Sequence, residues 1–208
     1  MGKNLLTAEI IAIGNEVVDG TVINSNAAWL SQALSLKGLS VLYHTAIPDD
    51  EKLMLEAFER ASNRADWVLV TGGLGPTVDD FTLEVAAKFF RKDLVADPVS
   101  LKTIRDFFKK LDRKPTPNQE KQAYLPQGAQ VLSNGVGTAP GAYLEFNQTH
   151  FAFFPGVPKE MHLMFEEGFL PLLKKQVPDL KGRQLKVLSC FGLAEGQMDY
   201  QLRKDLKG

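Results

Sequence analysis

Strand-like apolar segments alternate with segments of helical apolar spacing along the first ninety residues. The segments at 9–13, 40–47 and 67–71 predict strands, and the last is an unbroken apolar run of the kind covered on both faces of a parallel sheet. Each is followed by an amphipathic segment that predicts a helix. Strands separated by single helices predict right-handed crossovers and a doubly wound, mostly parallel α/β sheet.

The three predicted helices of this half have clear boundaries and inner faces. The first covers 24–37 and stops at Gly38, and the second begins after Asp49 or Asp50, either of which fits an N-cap. The predicted inner faces of the second and third helices consist of Met54, Ala57, Phe58 and Ala61, and of Leu83, Ala86, Ala87 and Phe90.

Beyond residue 97 the pattern is less regular. Helices are predicted at 100–111, 118–123 and 160–173, strands at 131–132, 142–146 and 150–154, and a last βα unit at 185–190 and 195–206. The polar and basic segment 174–186 predicts a linker. We therefore expect a main domain over residues 1–173, and a linker with a partial carboxy-terminal α/β module over residues 174–208.

Composition narrows the class of protein. The 208 residues carry 24 Lys and Arg against 25 Asp and Glu, a net charge of −1, which argues against nucleic acid as a general partner. The single cysteine, Cys190, cannot form an intrachain disulfide, which fits a reducing compartment. No apolar stretch approaches the roughly 20 residues of a membrane span, so we expect a cytoplasmic protein without a membrane partner.

Polar loops follow the first and third predicted strands, where ligands bind in an open parallel sheet. In the second loop, Gly72, Gly73 and Gly75 can adopt positive φ, which turns successive backbone N–H groups toward one centre. A helix starting near Asp79 would add its free N–H groups, so the loop predicts a site for a phosphate or another anion. It matches neither a Walker loop nor the dinucleotide fingerprint.

A second interpretation of this loop stays open from the residues alone. Thr77-x-x-Asp80 fits a capping box, with Asp79 as a rival cap, so the segment could be a tight turn followed by a capped helix.

Acidic residues in both loops suggest a divalent cation. Glu16, Asp79 and Asp80 could converge on Mg²⁺, which takes one or two carboxylates and leaves its other positions to water and phosphate oxygens. The alternative is that these acids are solvated. The scattered histidines and lone cysteine argue against a zinc site, and the absence of a Gly-x-Ser-x-Gly motif argues against a serine hydrolase.

Several motifs together resemble one protein family. They are Gly14-x-Glu16, Gly20, Asn24-x-Asn26, the loop Thr71-Gly72-Gly73-Leu74-Gly75-Pro76-Thr77-x-Asp79-Asp80-x-Thr82, Asn118-x-x-Lys121-Gln122-Ala123, Asn134-x-x-Gly137-Thr138-Ala139-Pro140-Gly141 and Pro155-Gly156-x-Pro158-x-Glu160-Met161. Their succession resembles the amino-terminal molybdopterin-binding-like domain of the CinA (competence/damage-inducible) family, and the glycine loop is shared with MogA, MoaB and gephyrin proteins. The resemblance implies a three-layer α/β fold with a site for a phosphorylated nucleotide or pterin.

The resemblance also implies an activity. CinA domains of this type are associated with ADP-ribose pyrophosphatase activity that depends on a divalent metal (Mg²⁺, Co²⁺ or Mn²⁺) and yields AMP and ribose 5-phosphate, and family members suggest a homo-oligomer. A second CinA domain, which deamidates nicotinamide mononucleotide, has no match here. Departures from the family pattern at Asn15, Gly135, Val157 and Gly196 remove no acid from the site but alter its walls.

The residues and the resemblance together assign the site. We expect catalytic roles for Asp80, Glu16 and Asp79, with the metal held by Asp80 and Glu16. The expected substrate-binding residues are Gly72, Gly73, Leu74, Gly75, Thr77, Thr82, Ser25, Asn26, Asn118, Lys121, Gly137, Thr138, Pro155 and Gly156. Three functions stay open: a hydrolase of ADP-ribose or a related dinucleotide, a molybdopterin-binding or adenylyl-transfer protein, and a non-catalytic nucleotide-binding module.

Overall fold

A computed structural model describes residues 6–183, 191–192 and 194–205 of the chain. Its strands are β1 (Thr7–Ile13), β2 (Ser40–Ile47), β3 (Trp67–Thr71), β4 (Leu94–Ala96), β5 (Tyr124–Pro126), β6 (Gln130–Leu132), β7 (Gly141–Phe146) and β8 (Thr149–Phe154). Its helices are α1 (Asn15–Val18), α2 (Ser25–Leu36), α3 (Glu51–Ser62), α4 (Thr82–Phe90), α5 (Pro98–Lys110), α6 (Pro117–Lys121), α7 (Pro158–Met164), α8 (Leu170–Gln176) and α9 (Glu195–Asp205).

Six of the strands form one mixed sheet in the order β2-β1-β3-β8-β7-β6. The first four run parallel, whereas β7 and β6 are antiparallel to their neighbours. Strands β4 and β5 form a separate antiparallel pair. The predicted α/β class with a mostly parallel central sheet is confirmed.

Helices cover both faces of the sheet, because successive residues of each strand point to opposite sides. On one face Ile11, Val68 and Phe151 pack in a core that includes the inner residues of α3 and α4. On the other face Ile10 and Leu69 pack with residues of α2, α7 and α8. Two cores on a single sheet give the three layers that the resemblance implies.

Local sequence signals explain most helix boundaries. The Asn24 side chain accepts a hydrogen bond from the Ala27 N–H (3.0 Å) and caps α2, and Asp50 accepts from the Leu53 N–H (2.9 Å) and caps α3. Asp50 is thus the cap, and Asp49 is left for another role. The predicted inner residues of α3 are all buried.

Several elements differ from prediction or fall outside it, among them α1, whose residues were expected to lie in a loop. Strands β4 and β5 were not predicted, because they pair from distant segments and three residues give little periodicity. The equally short β6 was predicted at 131–132. The helix predicted at 160–173 extends to Gln176 and contains a π-helical turn at Phe165–Phe169. The predicted strand at 185–190 lies outside the described residues. No helix in the described part of the chain is both long and apolar enough to cross a membrane.

Candidate functional site

A cleft of about 540 Å³ opens at the carboxyl ends of the parallel strands. Its walls come from the segments that follow β1, β2, β3 and β8, together with residues near positions 122 and 138. This is the place where open parallel sheets bind ligands. The lining residues are Ile13, Gly14, Asn15, Glu16, Asp49, Gly72, Gly73, Leu74, Gly75, Pro76, Thr77, Asp79, Asp80, Gln122, Thr138, Ala139, Pro155, Gly156, Val157 and Glu160.

Two glycines of the loop after β3 have no room for a side chain. Gly72 and Gly73 adopt φ angles of 109° and 67°, where L residues are strained. A Cβ at Gly72 would overlap the carbonyl oxygen of Ile13, and one at Gly73 would overlap the hydroxyl of Thr82. The backbone itself therefore forms this part of the cleft wall.

The N–H groups of the loop are unequally available. The Gly72 N–H donates to the Phe154 carbonyl (3.0 Å), so the expected role of Gly72 as a phosphate donor is wrong. The N–H groups of Gly73, Leu74 and Gly75 donate to no acceptor among the described residues. Gly75 does not adopt a positive φ angle. Because it has no side chain, the Asp80 carboxylate can pack against its backbone. Three donors thus remain for an anion.

The capping-box interpretation of this loop is wrong, and so is the predicted helix start near Asp79, whose free N–H groups were expected at the anion site. Helix α4 begins at Thr82, with Phe81 as its N-cap and no side-chain cap bond, so Asp79 does not start a helix. The sequence pattern nevertheless identified two residues that interact. Asp80 Oδ2 accepts hydrogen bonds from both the N–H (2.9 Å) and the hydroxyl (2.5 Å) of Thr77. These bonds close the loop before the helix and fix the Asp80 carboxylate beside the cleft.

Five carboxylates line the cleft, and four of them act on one another electrostatically around Asp49: Glu16, Asp49, Asp79 and Asp80. Burial raises the pKa of Asp49, and the negative charges of Glu16, Asp79 and Asp80 raise it further, against a hydrogen bond from the Asn15 N–H. Within the described residues none of the four forms an ion pair with Lys, Arg or His. The cleft therefore carries uncompensated negative charge.

The carboxylates of the cleft restrict the kind of metal site that could form there. In the part of the chain that the structure describes, no group of three or more His, Cys, Asp or Glu side chains is arranged to hold an ion. Mg²⁺ needs only one or two protein carboxylates when substrate phosphates and waters complete its shell. The carboxylates of Asp80 and Glu16 fit that requirement, and they do not fit a closed metal cage.

Most expected substrate-binding residues line the cleft, and two others lie beside it. Ser25 and Asn26 line an adjoining cavity of about 100 Å³ that shares Glu16, Gly72 and Gly156 with the cleft. The buried Asn26 amide donates to the Thr71 hydroxyl (3.1 Å) and the Gly156 carbonyl (2.8 Å). Asn26 therefore joins the end of β3 to the loop that follows β8.

Four expected contacts do not line the cleft. The Thr82 hydroxyl is buried and donates to the Gly72 carbonyl (3.0 Å), which supports the loop from inside. Lys121 Nζ donates to the carbonyls of Asp80 (2.5 Å) and Thr77 (3.3 Å), so it holds the loop from outside. Asn118 is exposed on α6, and Gly137 packs against Glu160. A sequence motif contains both residues that contact a ligand and residues that hold the contacting residues in place. The motif alone does not distinguish the two kinds.

The expected set omitted several lining residues, of which three are informative. Asp49 follows β2 directly, and the rule that brings parallel strand ends together could have found it. Gln122 is buried, donates to the Leu74 carbonyl (3.3 Å) and accepts from the Thr138 hydroxyl (2.9 Å). Gln122 and Glu160 both lie in motifs recognised from the sequence, so those motifs could have indicated that the two residues belong to the site.

Comparisons with known proteins agree with this architecture. The family model described as "Probable molybdopterin binding domain" matches residues 9–175. A competence-damage inducible protein of Clostridium beijerinckii is 44% identical over 202 residues, covering 97% of this chain and 48% of that protein. A protein of the same description from Bacillus pumilus is 38% identical over 201 residues, covering 96% and 48%. The chain thus spans about half the length of the curated relatives it matches.

Comparison with solved structures also finds similarity to CinA and to molybdopterin biosynthesis proteins. The protein CinA of unknown function from Thermoplasma acidophilum superposes with a TM-score of 0.75 at 34% identity, covering 82% of this chain and 99% of that one. The molybdopterin biosynthesis enzyme MoaB from Thermus thermophilus superposes with a TM-score of 0.56 at 17% identity, covering 88% and 100%. The second similarity concerns the fold alone.

Proposed function

Since the chain belongs to the molybdopterin-binding domain family, as a CinA-like member, we propose that it is a metal-dependent hydrolase of a nucleotide diphosphate linkage. The proposed substrate is ADP-ribose, and the products are AMP and ribose 5-phosphate. Water attacks one phosphorus of the diphosphate, the bridging P–O bond breaks, and the displaced phosphate leaves with its sugar.

One observation carries this proposal: unused N–H donors and uncompensated carboxylates occupy the same cleft. The N–H groups of Gly73, Leu74 and Gly75 suit a phosphate, yet Glu16, Asp49, Asp79 and Asp80 would repel it. A divalent cation between the acids and the phosphates resolves this conflict, because it is attracted to both. A diphosphate offers more oxygens to the cation than a single phosphate does.

The residues of the chain would divide the work between them. Asp80 and Glu16 would hold Mg²⁺, Co²⁺ or Mn²⁺, and Asp79 would add negative charge or hold a metal-bound water. When bound, the cation neutralises phosphate charge and lowers the pKa of water. The N–H groups of Gly73 to Gly75 would stabilise charge that develops on the nonbridging oxygens. Thr138, Pro155 and Gly156 would form the substrate wall.

The family description favours a second candidate, in which the cleft binds molybdopterin. For that candidate we propose adenylyl transfer as the reaction. The same N–H donors and acids would serve that reaction, because it also acts on a nucleotide phosphate. Homo-oligomerisation and a cytoplasmic location remain predictions.

The decisive experiment follows AMP release. Purified protein is incubated with Mg²⁺, Co²⁺ or Mn²⁺ and with ADP-ribose, FAD, NAD or ATP, and a chelator provides the control. We expect AMP and ribose 5-phosphate from ADP-ribose only when a divalent metal is present. AMP transfer that requires a pterin would support the second candidate, and binding without turnover would leave a non-catalytic nucleotide-binding module.

A further inference from the structure

The segment 134–139 folds around one asparagine side chain. Asn134 Oδ1 accepts from the N–H groups of Val136 (3.1 Å) and Gly137 (2.8 Å). Its amide nitrogen donates to the Ala139 carbonyl (3.0 Å) and to Glu160 Oε2 (2.7 Å). Four bonds use the whole hydrogen-bonding capacity of an asparagine side chain, so Asn134 has one fixed orientation.

This arrangement fixes the Glu160 carboxylate at the cleft wall. Asn134 holds Oε2, whereas Oε1 accepts no hydrogen bond from any described residue. The backbone of Gly137 lies against the carboxylate so closely that a Cβ there would overlap it. Glu160 forms no ion pair within the described part of the chain. One carboxylate oxygen is thus held and the other is left for a ligand in the cleft.

The place of Glu160 in the fold separates it from the four clustered acids. Those acids follow β1, β2 and β3, whereas Glu160 follows β8 at the other side of the glycine loop. At about 4.8 Å per strand, the cleft spans roughly 14 Å from β2 to β8. ADP-ribose carries a ribose on each side of its diphosphate. If the diphosphate lies at the glycine loop and the substrate follows the row of strand ends, one of the two riboses lies toward Glu160.

The charge of Glu160 restricts the groups that it can bind. An ionised carboxylate only accepts hydrogen bonds, and without a cation it repels phosphate. The hydroxyls of a ribose are suitable donors, and carboxylates bind ribose diols in other nucleotide sites. We propose that Glu160 accepts hydrogen bonds from the vicinal hydroxyls of a substrate ribose and so determines specificity for the sugar. This inference rests on the proposed function of the cleft as a nucleotide diphosphate site.

The test compares Glu160→Gln with the wild type in steady-state kinetics of AMP release. Glutamine keeps an acceptor for Asn134 and the same shape, so thermal unfolding should be unchanged. We expect KM for ADP-ribose to rise about tenfold, because a charged acceptor is replaced by a neutral one, with kcat nearly unchanged. Glu166→Gln, an exposed acid on the same helical run, is the matched control and should match the wild type.

Two further substrates identify which ribose is bound. ADP-ribose without the 2′-hydroxyl of its adenosine probes one ribose, and the β-methyl ester of ADP lacks the terminal sugar. The rise in KM should vanish with the substrate that lacks the contacted hydroxyls. An equal KM rise with all three substrates, or no rise at all, overturns the proposal. A loss of kcat with unchanged KM and an altered pH profile also overturns it, because Glu160 would then be a general base. Wild-type protein that releases no AMP contradicts the proposed function instead.

Discussion

Carboxylates lie at both ends of the parallel strands, but their hydrogen-bond and ion-pair partners differ between the two ends. Near the amino end of β1, Glu9 is fully buried and accepts from Arg64 Nη2 (2.6 Å), Arg64 Nε (2.8 Å) and the Thr45 hydroxyl (2.7 Å). The pKa of Arg64 is raised by its hydrogen bonds to Glu9. At the carboxyl end, Glu16, Asp49, Asp79 and Asp80 share a cleft and form no ion pair with a basic side chain among the described residues.

This difference in pairing distinguishes a carboxylate with a structural role, Glu9, from carboxylates that are available to a ligand. A buried carboxylate is tolerated when a cation and further hydrogen bonds compensate it, as they do for Glu9. The acids of the cleft lack such compensation in the described residues, and burial together with the neighbouring negative charges raises the pKa of Asp49. The cation of the proposed function would compensate them, and the three predictions that follow test this contrast.

The largest expected effect comes from Asp80→Asn. We expect kcat for ADP-ribose to fall about 10³-fold, the upper scale for losing one electrostatic contact to a transition state. Stability should hardly change, because asparagine can still accept from Thr77. The measurement pairs metal-dependent AMP release with thermal unfolding. Asp106→Asn, an exposed site on α5, is the control, and full activity of Asp80→Asn would discard the assignment.

The second prediction concerns the opposite end of the strands. Arg64→Met should lower the free energy of unfolding by about 3 kcal/mol, since the buried Glu9 loses its cation. Adding Glu9→Gln should restore most of this loss, and activity per folded molecule should be unchanged. Urea unfolding measures both variants. Arg105→Met, which breaks the exposed pair with Glu120, should cost far less, and an equal loss would contradict the contrast between the two ends.

The smallest expected effect concerns Asp49, whose pKa is raised in the fold. Between its unfolded and folded pKa values the folded state binds more protons, so this group lowers stability as the pH rises through that window. Without divalent metal, Asp49→Asn should therefore stabilise the protein at neutral pH, by a few tenths of a kcal/mol for a partly exposed group. Thermal unfolding with and without Mg²⁺ tests this, with Asp93→Asn as the control. Destabilisation by Asp49→Asn in metal-free buffer would contradict it.

The sequence predicted the framework of the fold well, because the signals involved are local. The apolar run at β3 and the inner face of α3, including Met54 and Phe58, depend only on the spacing of residues along one element. The pair β4 and β5 depends on contacts between distant three-residue segments, so no local pattern indicated it.

The site was predicted less completely than the fold. The position of the glycine loop followed from the strand before it, but the roles of its neighbours depend on three-dimensional packing. Lys121 was expected to touch substrate and instead holds the carbonyls of Thr77 and Asp80. Asp49 and Asp50 were equivalent as caps in the sequence, and only the turn of the chain sends Asp49 into the cleft.

Crowding at Gly72 and Gly73 has a consequence for how this fold diversifies. Since neither position admits even a methyl group, point mutation cannot install a new functional group on that stretch of the cleft. Chains that share the fold and act on different compounds would therefore have to differ in the side chains that surround these two glycines.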